Sequence, residues 1–380
     1  MTLLAQNFAA PGRMIRVLAL LTDSIGAGGG IAQYNRDWIE AATDAGAQVD
    51  LCAFTAQVPA ADLLPRGSRL RCATQSRAGL VLSALRSARE RTHEIVFCGH
   101  LHLAGVAAAA ARIAAAPMWL QAHGIEIWDR PGSLRRAASE RAELVTSVSR
   151  HTRRQILTWL RGDPRRVRVL PNTVGESFTM GSRDVALCRR LGIDGSPVLL
   201  TVGRLAAAER YKGHDRVIAC LAALAARHPR IQYVIAGDGD DRTRLEALCA
   251  SCGVSERVRF VGVVAHADLP ALYRCADLFV MPSTGEGFGI AYLEAMACGV
   301  SALGLGIDGS VDPLADGELG RVSDAANLVP DILSALDSTS GASAMLADRT
   351  RTRFSKANFA YQVKRHLLSL VAPRVEAVES

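Results

Sequence analysis

The stretch Ala276-Asp-Leu-Phe-Val-Met-Pro-Ser-Thr-Gly-Glu-Gly-Phe-Gly-Ile-Ala-Tyr-Leu-Glu-Ala-Met-Ala-Cys-Gly299 constrains the chain more than any other. Its first residues form an apolar run stopped by proline, the pattern of a buried strand. Gly285, Gly287 and Gly289 then make a turn, and Ile290 to Cys298 is helix-forming and closed by Gly299. A glycine turn feeding a helix start offers unpaired backbone N–H groups, at Phe288 to Ile290, and a positive dipole end to an anion. Glu286 lies in the turn and Glu294 one to two helical turns in. A phosphate position with a carboxylate on either side suits a ligand carrying phosphates and hydroxyls together, as a sugar nucleotide does.

The same strand, glycine turn and helix sequence opens the chain. Met14 to Leu21 is almost continuously apolar, as in a parallel strand covered on both faces, and Gly26-Ala-Gly-Gly-Gly30 leads into a helical pattern from Ile31 to Ala45. Strands are expected at Gln48–Phe54, Glu94–Gly99, Met118–Ala122, Leu144–Ser147 and Arg168–Leu170, with helical segments between. The pattern restarts at Pro197–Gly203 and continues through strands at Ile231–Gly239 and Val258–Val263, a short helix at Leu269–Ala276, and a strand ending at Gly306. A helix is expected at Ala325–Ser338 and a terminal one at Phe354–Leu370. Two doubly wound α/β units follow from this repetition. In open sheets ligands bind beyond the carboxyl ends of strands, which singles out His100, His102 and His123 as well as the glycine turns.

Composition narrows the class. The 380 residues suffice for two or three domains, and no apolar run reaches the roughly 18–20 residues needed to span a bilayer. Met1 to Arg13 lacks a basic start followed by an apolar core, so it reads as a tail and not as a secretory signal. Nine cysteines without metal-ligand spacing read as reduced, mostly buried thiols, and the expected location is the cytoplasm. The net charge of +7 is carried mostly by arginine. Between Arg150 and Arg168 seven arginines face one aspartate, with Ile156, Leu157, Trp159 and Leu160 interleaved. Such a segment could lie peripherally on an anionic membrane surface or be an ordinary basic helix. Aromatics at 5% are too few for base-stacking platforms, so nucleic acid is not an expected partner.

The full pattern Pro282-Ser-x-x-Glu286-Gly-Phe-Gly-x4-Glu294-Ala-Met-Ala-x-Gly299 resembles glycosyltransferase family 4, retaining GT-B enzymes that use nucleotide-sugar donors. His123-Gly-x-Glu126 and the Pro171-Asn172 segment match the same family. The resemblance implies an α/β protein of two Rossmann-like domains facing a central cleft. Residues 1–178 would form the acceptor domain and 179–353 the donor domain. Residues 354–380 would supply a final helix crossing back to the first domain, and Gly175 to Asp184 the hinge.

By the same resemblance Glu286 hydrogen-bonds donor sugar hydroxyls, Glu294 takes the ribose hydroxyls, and His123 contacts the donor sugar. Arg204 and Lys212 meet the donor diphosphate, with Arg210 as a substitute for Lys212 and a connecting loop longer than the family's common one. Gly29, Gly30, Gly203, Gly287, Phe288, Gly289 and Ile290 line the donor place. Fixed cations aimed at a departing diphosphate lower the barrier to transfer. Together with the helix start they neutralise it without a metal, and neither metal nor cofactor is expected. Asp238 and Asp240 read as part of a Gly-Asp-Gly-Asp turn. Retention without an evident enzyme nucleophile implies front-face attack, the leaving phosphate accepting the acceptor's proton.

Tyr211-Lys-Gly-His-Asp215, Asp308-Gly-Ser-Val-Asp312 and Asp316-Gly-Glu-Leu-Gly320 resemble a branch with bacterial exopolysaccharide mannosyltransferases. That makes GDP-mannose the first donor expected and UDP-hexoses the second. The expected acceptor is a glycan or a polyprenyl-diphosphate-linked oligosaccharide at the inner membrane face. A dinucleotide-dependent oxidoreductase and a sugar-nucleotide epimerase are the rival readings.

Overall fold

The computed structural model describes residues 14–22, 29–55, 64–128, 130–194, 196–338 and 343–372. The reading of Met1 to Arg13 as a tail, and of Gly26 to Gly28 in the first glycine run, lies outside these residues. Two sheets organise the rest.

The first half runs β1 (Arg16–Thr22), α1 (Gly30–Asp44), β2 (Gln48–Phe54), β3 (Ser68–Thr74), α2 (Arg77–Arg89), β4 (Ile95–Cys98) and α3 (Ala104–Ala114). It continues with β5 (Met118–Ala122), α4 (Ser133–Ser139), β6 (Leu144–Ser147), α5 (Arg150–Trp159) and β7 (Val167–Val169). The sheet order is β3-β2-β1-β4-β5-β6-β7. β1 pairs in parallel with β2 and β4, Val17 standing opposite Val49 and Ile95. Its five central residues are all buried, which is why the strand reads as one unbroken apolar run.

The second half runs α6 (Val185–Arg190), β8 (Val198–Val202), α7 (His214–Arg227), β9 (Gln232–Ala236), α8 (Arg242–Ser251), β10 (Val258–Gly262) and α9 (Leu269–Tyr273). Then come β11 (Leu278–Val280), α10 (Ile290–Ala297), β12 (Ser301–Leu305), β13 (Arg321–Ser323), α11 (Leu328–Asp337), α12 (Ser343–Arg353) and α13 (Lys356–Val371). All pairs in the order β10-β9-β8-β11-β12-β13 are parallel. This is the doubly wound order, whose direction of winding reverses between β8 and β11. Ligands bind beyond the carboxyl ends of strands at such a reversal.

The described residues form two compact units. One holds those up to Gln121, Pro131–Val145 and those from Ala360 on, and the other holds Ala122–Arg130 and Thr146–Phe359. The first has an aromatic centre: Trp38 stacks on Phe97 at 3.6 Å, and Trp119 meets both edge-on. His366 of α13 packs against Trp119 in the same unit at 5.4 Å. A core cluster of the second unit gathers Leu199, Ile218, Tyr233, Leu278, Val280, Leu303 and Ile332.

Strands β3 and β13 and helices α6 and α12 were not foreseen. β3 has no fully buried residue and β13 has three residues, both at sheet edges, so neither carries an apolar run. The terminal helix is preceded by α12, a polar helix broken from it at Phe354–Ser355, where the Ser355 hydroxyl accepts the Asn358 N–H at 3.1 Å. The basic segment from Arg150 forms α5 and the lead into β7. Ile156, Trp159 and Leu160 are buried in the protein core, and Leu157 is half-buried. Two of its arginines are engaged: Arg150 pairs with Asp312 and Asp316, and Arg153 Nε donates to the Val167 carbonyl at 2.8 Å. All nine cysteines are unpaired, and six are buried.

Candidate active site

The loops that follow β8 and β11, the two strands at the winding reversal, carry most of the predicted site residues of the second unit. β11 ends in Met281-Pro282, and the Ser283 hydroxyl accepts the Gly285 N–H at 3.1 Å, starting the turn. Gly289, at φ 92°, caps α10 without a side chain in the way. Phe288 is a core residue whose ring meets Phe354 edge-on, so only its backbone faces the turn's anion position.

Glu286 and Gly287 are held by backbone on two sides. A Cβ on Gly124 would stand 2.5 Å from Gly287 Cα, and one on Gly287 would stand 2.0 Å from the His123 carbonyl oxygen. On the other side a Cβ on Gly309 would fall 2.1 Å from the Gly287 oxygen. Only glycines permit three chain segments to lie this close. Hydrogen bonds lock the layers. The Gly309 N–H donates to the Glu286 carbonyl at 2.8 Å, and the buried Asp308 carboxylate accepts the Glu286 N–H at 2.7 Å. Asp308 is fixed in turn by the Ser310 N–H and hydroxyl. The Thr152 hydroxyl donates to the Gly287 carbonyl at 3.3 Å.

His123 thus lies in the same layer as Glu286, and its N–H donates to Glu126 Oε1 at 2.6 Å. That bond gives the His-Gly-x-Glu spacing a local reason. Trp128 and Tyr211 close on Gly285 edge-to-face, their centroids 5.6 Å apart. A Cβ on Gly285 would meet both rings within 3 Å.

Lys212 reaches Glu286: its Nζ donates to Glu286 Oε1 at 3.0 Å. The side chain runs along Gly203, where a Cβ would lie 3.2 Å from Lys212 Cδ. Burial disfavours the Lys212 charge, but Glu286, the larger contributor, and Glu209 outweigh it and raise the ammonium above its usual range. Arg204 is 78% exposed at its side chain and pairs with Glu209, whose other oxygen lies 3.4 Å from Lys212 Nζ. Four charges therefore alternate along one line, Arg204, Glu209, Lys212 and Glu286, and cancel.

Arg210 does not share this place. Its guanidinium is bound to Asp241 at 2.7 Å, within a network that Arg244 extends to Asp215. Arg244 chiefly, against burial and with Arg210's help, holds Asp241 down to about 2. Glu294 accepts a hydrogen bond from the Tyr273 hydroxyl at 2.7 Å, and burial pushes its carboxyl up to about 7. Asp238 accepts the Gly239 N–H and Asp240 the Ala207 N–H, so both serve the turn. Gly29 and Gly30 open α1 in the other unit, Gly29 at φ 109°.

Three contributors escaped the sequence reading. Glu209 sits inside a loop noticed only for its length. Asp308 belongs to a motif read for its likeness to a family branch, and Gly124 to one read for its histidine. Spacing alone names no partner for any of them.

An α/β protein with two parallel Rossmann-like sheets, and a glycine-clamped glutamate beside lysine and arginine at a winding reversal, is a GT-B glycosyltransferase by fold. Residues 28–177 match the family described as Glycosyltransferase Family 4, and residues 188–357 match Glycosyl transferases group 1. Between them these matches run through most of the chain, which belongs to glycosyltransferase family 4.

Among curated relatives, it is 31% identical over 204 residues to a GDP-mannose-dependent alpha-(1-6)-phosphatidylinositol monomannoside mannosyltransferase of Mycolicibacterium smegmatis, covering 52% of each chain. It is 29% identical over 266 residues to an alpha-D-kanosaminyltransferase of Streptomyces kanamyceticus, covering 64% of this chain and 68% of the relative. The chain spans about half the length of the first of these relatives. The crystal structure of Anabaena HepE in complex with UDP-glucose superposes with a TM-score of 0.76 at 22% identity, over 94% of this chain and 100% of that one. WaaG, a glycosyltransferase involved in lipopolysaccharide biosynthesis, gives 0.64 at 19% identity, over 94% and 100%. Among the described residues no helix is long and apolar enough to cross a membrane.

Proposed function

We propose that the chain transfers a hexose, with retention, from a nucleoside-diphosphate sugar to a glycan or lipid-linked oligosaccharide acceptor in surface-polysaccharide assembly. The observation that carries this reading is the Lys212–Glu286 contact beside the start of α10. A carboxylate for sugar hydroxyls and a cation for the neighbouring phosphate stand side by side, with Arg204 one ion pair further on. In this reading Arg204, Lys212 and the helix start take the charge that develops on the departing diphosphate, and no metal is called for. Glu286 and His123 orient the sugar, and Glu294 meets the ribose. The acceptor attacks on the face the diphosphate leaves, and a phosphate oxygen takes its proton.

GDP-mannose is the donor we favour, supported by the branch motifs and by the name of the mycobacterial relative. Thermal shift against GDP, UDP and NAD tests it, because a ligand at about 100 times its Kd adds about 2.7 kcal/mol to stability. Stabilisation by GDP supports mannose transfer, and stabilisation by UDP alone moves the donor to a UDP-hexose. Stabilisation by NAD alone overturns the reading. Transfer of label from GDP-mannose to a polyprenyl-linked acceptor then checks the second substrate.

A further inference from the structure

The loop joining Arg204 to Lys212 brings its own anion. Glu209, with only 9% of its side chain exposed, ion-pairs with Arg204 through one oxygen and approaches Lys212 through the other. The second oxygen is buried and has no hydrogen-bond donor. Among the described residues Glu209 is the ion-pair partner found for Arg204. The turn that carries it is anchored, with the Glu209 N–H donating to the Ala206 carbonyl at 2.8 Å and the Ala207 N–H donating to Asp240. A carboxylate thus occupies the position between two cations where a bridging phosphate would make the same contacts. Two anions sharing one cation pair repel, and the carboxylate's claim on Arg204 must be loosened whenever a phosphate takes it.

We propose that Glu209 competes with the donor diphosphate for Arg204, lowering affinity for the nucleoside diphosphate and easing its departure after transfer. The inference rests on the nucleotide-sugar reading above. Under it Glu209 does not touch the reacting atoms and acts through Arg204.

The test is calorimetric titration of the full chain with GDP and UDP, for wild type, Glu209→Gln, Arg204→Ala and the double variant. Glu209→Gln keeps the side chain's shape, and a melting curve checks its fold. It is expected to tighten nucleoside diphosphate binding about three- to tenfold, the scale of removing one like charge at a partly screened site. Product inhibition should deepen by the same factor, and the gain should vanish in the Arg204→Ala background. Unchanged or weaker binding by Glu209→Gln overturns the proposal, as does a gain that persists without Arg204. If wild type binds neither GDP nor UDP, the nucleotide-sugar reading falls and this inference with it. A folded wild type that binds while Glu209→Gln fails to tighten leaves that reading standing.

Discussion

Lys212 Nζ and Glu286 Oε1 lie 3.0 Å apart, and each side chain is 13% exposed. Removing either partner of such a covered pair leaves the other charge without its counterpart. Lys212→Ala is therefore expected to abolish transfer, whereas Arg210→Ala, whose cation is bound to Asp241, should leave the kcat of transfer close to wild type. Initial-rate kinetics on the two variants decide the matter, and equal losses would contradict the separation.

Glu286→Ala should lower kcat/KM by about a hundredfold or more while the protein stays folded, since an oriented polar partner of the transition state is lost. Circular dichroism and melting curves confirm the fold. Near-normal turnover with the true substrates would remove Glu286 from the sugar's place.

Asp308→Ala strips the acceptor from the half-buried Glu286 N–H. An unpaired buried donor costs about 1–3 kcal/mol, and the turn it fixes loosens. A fall in kcat with little change in KM is expected, because the residue sets where Glu286 stands without contacting the donor itself. A variant with wild-type kcat would show that the glycine contacts alone suffice.

Gly124→Ala places a methyl 2.5 Å from Gly287 Cα at φ 133°, a region that favours glycine. Overpacking of this kind costs about 1–3 kcal/mol and should lower Tm and activity together. Gly105→Ala in α3 meets nothing within 4 Å and is the contrasting case. Helix propensity predicts a neutral or slightly raised Tm there. Differential scanning calorimetry separates the two.

Burial pushes Glu294 from its ordinary 4.5 up to about 7. A carboxyl raised in the folded state favours folding while protonated. Its contribution is complete below about 4.5 and is lost as pH rises through about 7. Melting temperature followed between pH 5 and 8 should decline less steeply in Glu294→Gln than in wild type. Parallel slopes would place the titration elsewhere.

Most of the fold was legible because parallel strands buried on both faces leave unbroken apolar runs. β1, β8 and β9 come nearest to this, while β2 and β5 carry a buried Asp50 and Gln121 within theirs, and each lies where the sequence predicts. The edge strands β3 and β13 have no such signature and were invisible. In the site, Glu286 stood out through its glycine turn, and Arg204 and Lys212 through the family resemblance. Their relation to one another did not, because the Arg204–Lys212 loop gives no sign that Glu209 turns inward. Asp308 was equally hidden. A buried aspartate on a neighbour's backbone N–H looks, in sequence, like any aspartate before glycine. The basic segment stayed open between two readings, since Trp159 among arginines shows its burial only in the folded chain.

The stack of Gly124, Gly287 and Gly309 limits how this protein can be redesigned. Backbones pressed on both sides of Gly287 leave the loop of Glu286 no slack, so, on the reading proposed, a new sugar is not accommodated by lengthening or re-aiming that loop. On that reading, donor preference is altered at side chains around the fixed glutamate, such as Trp128 and Tyr211, which close on Gly285.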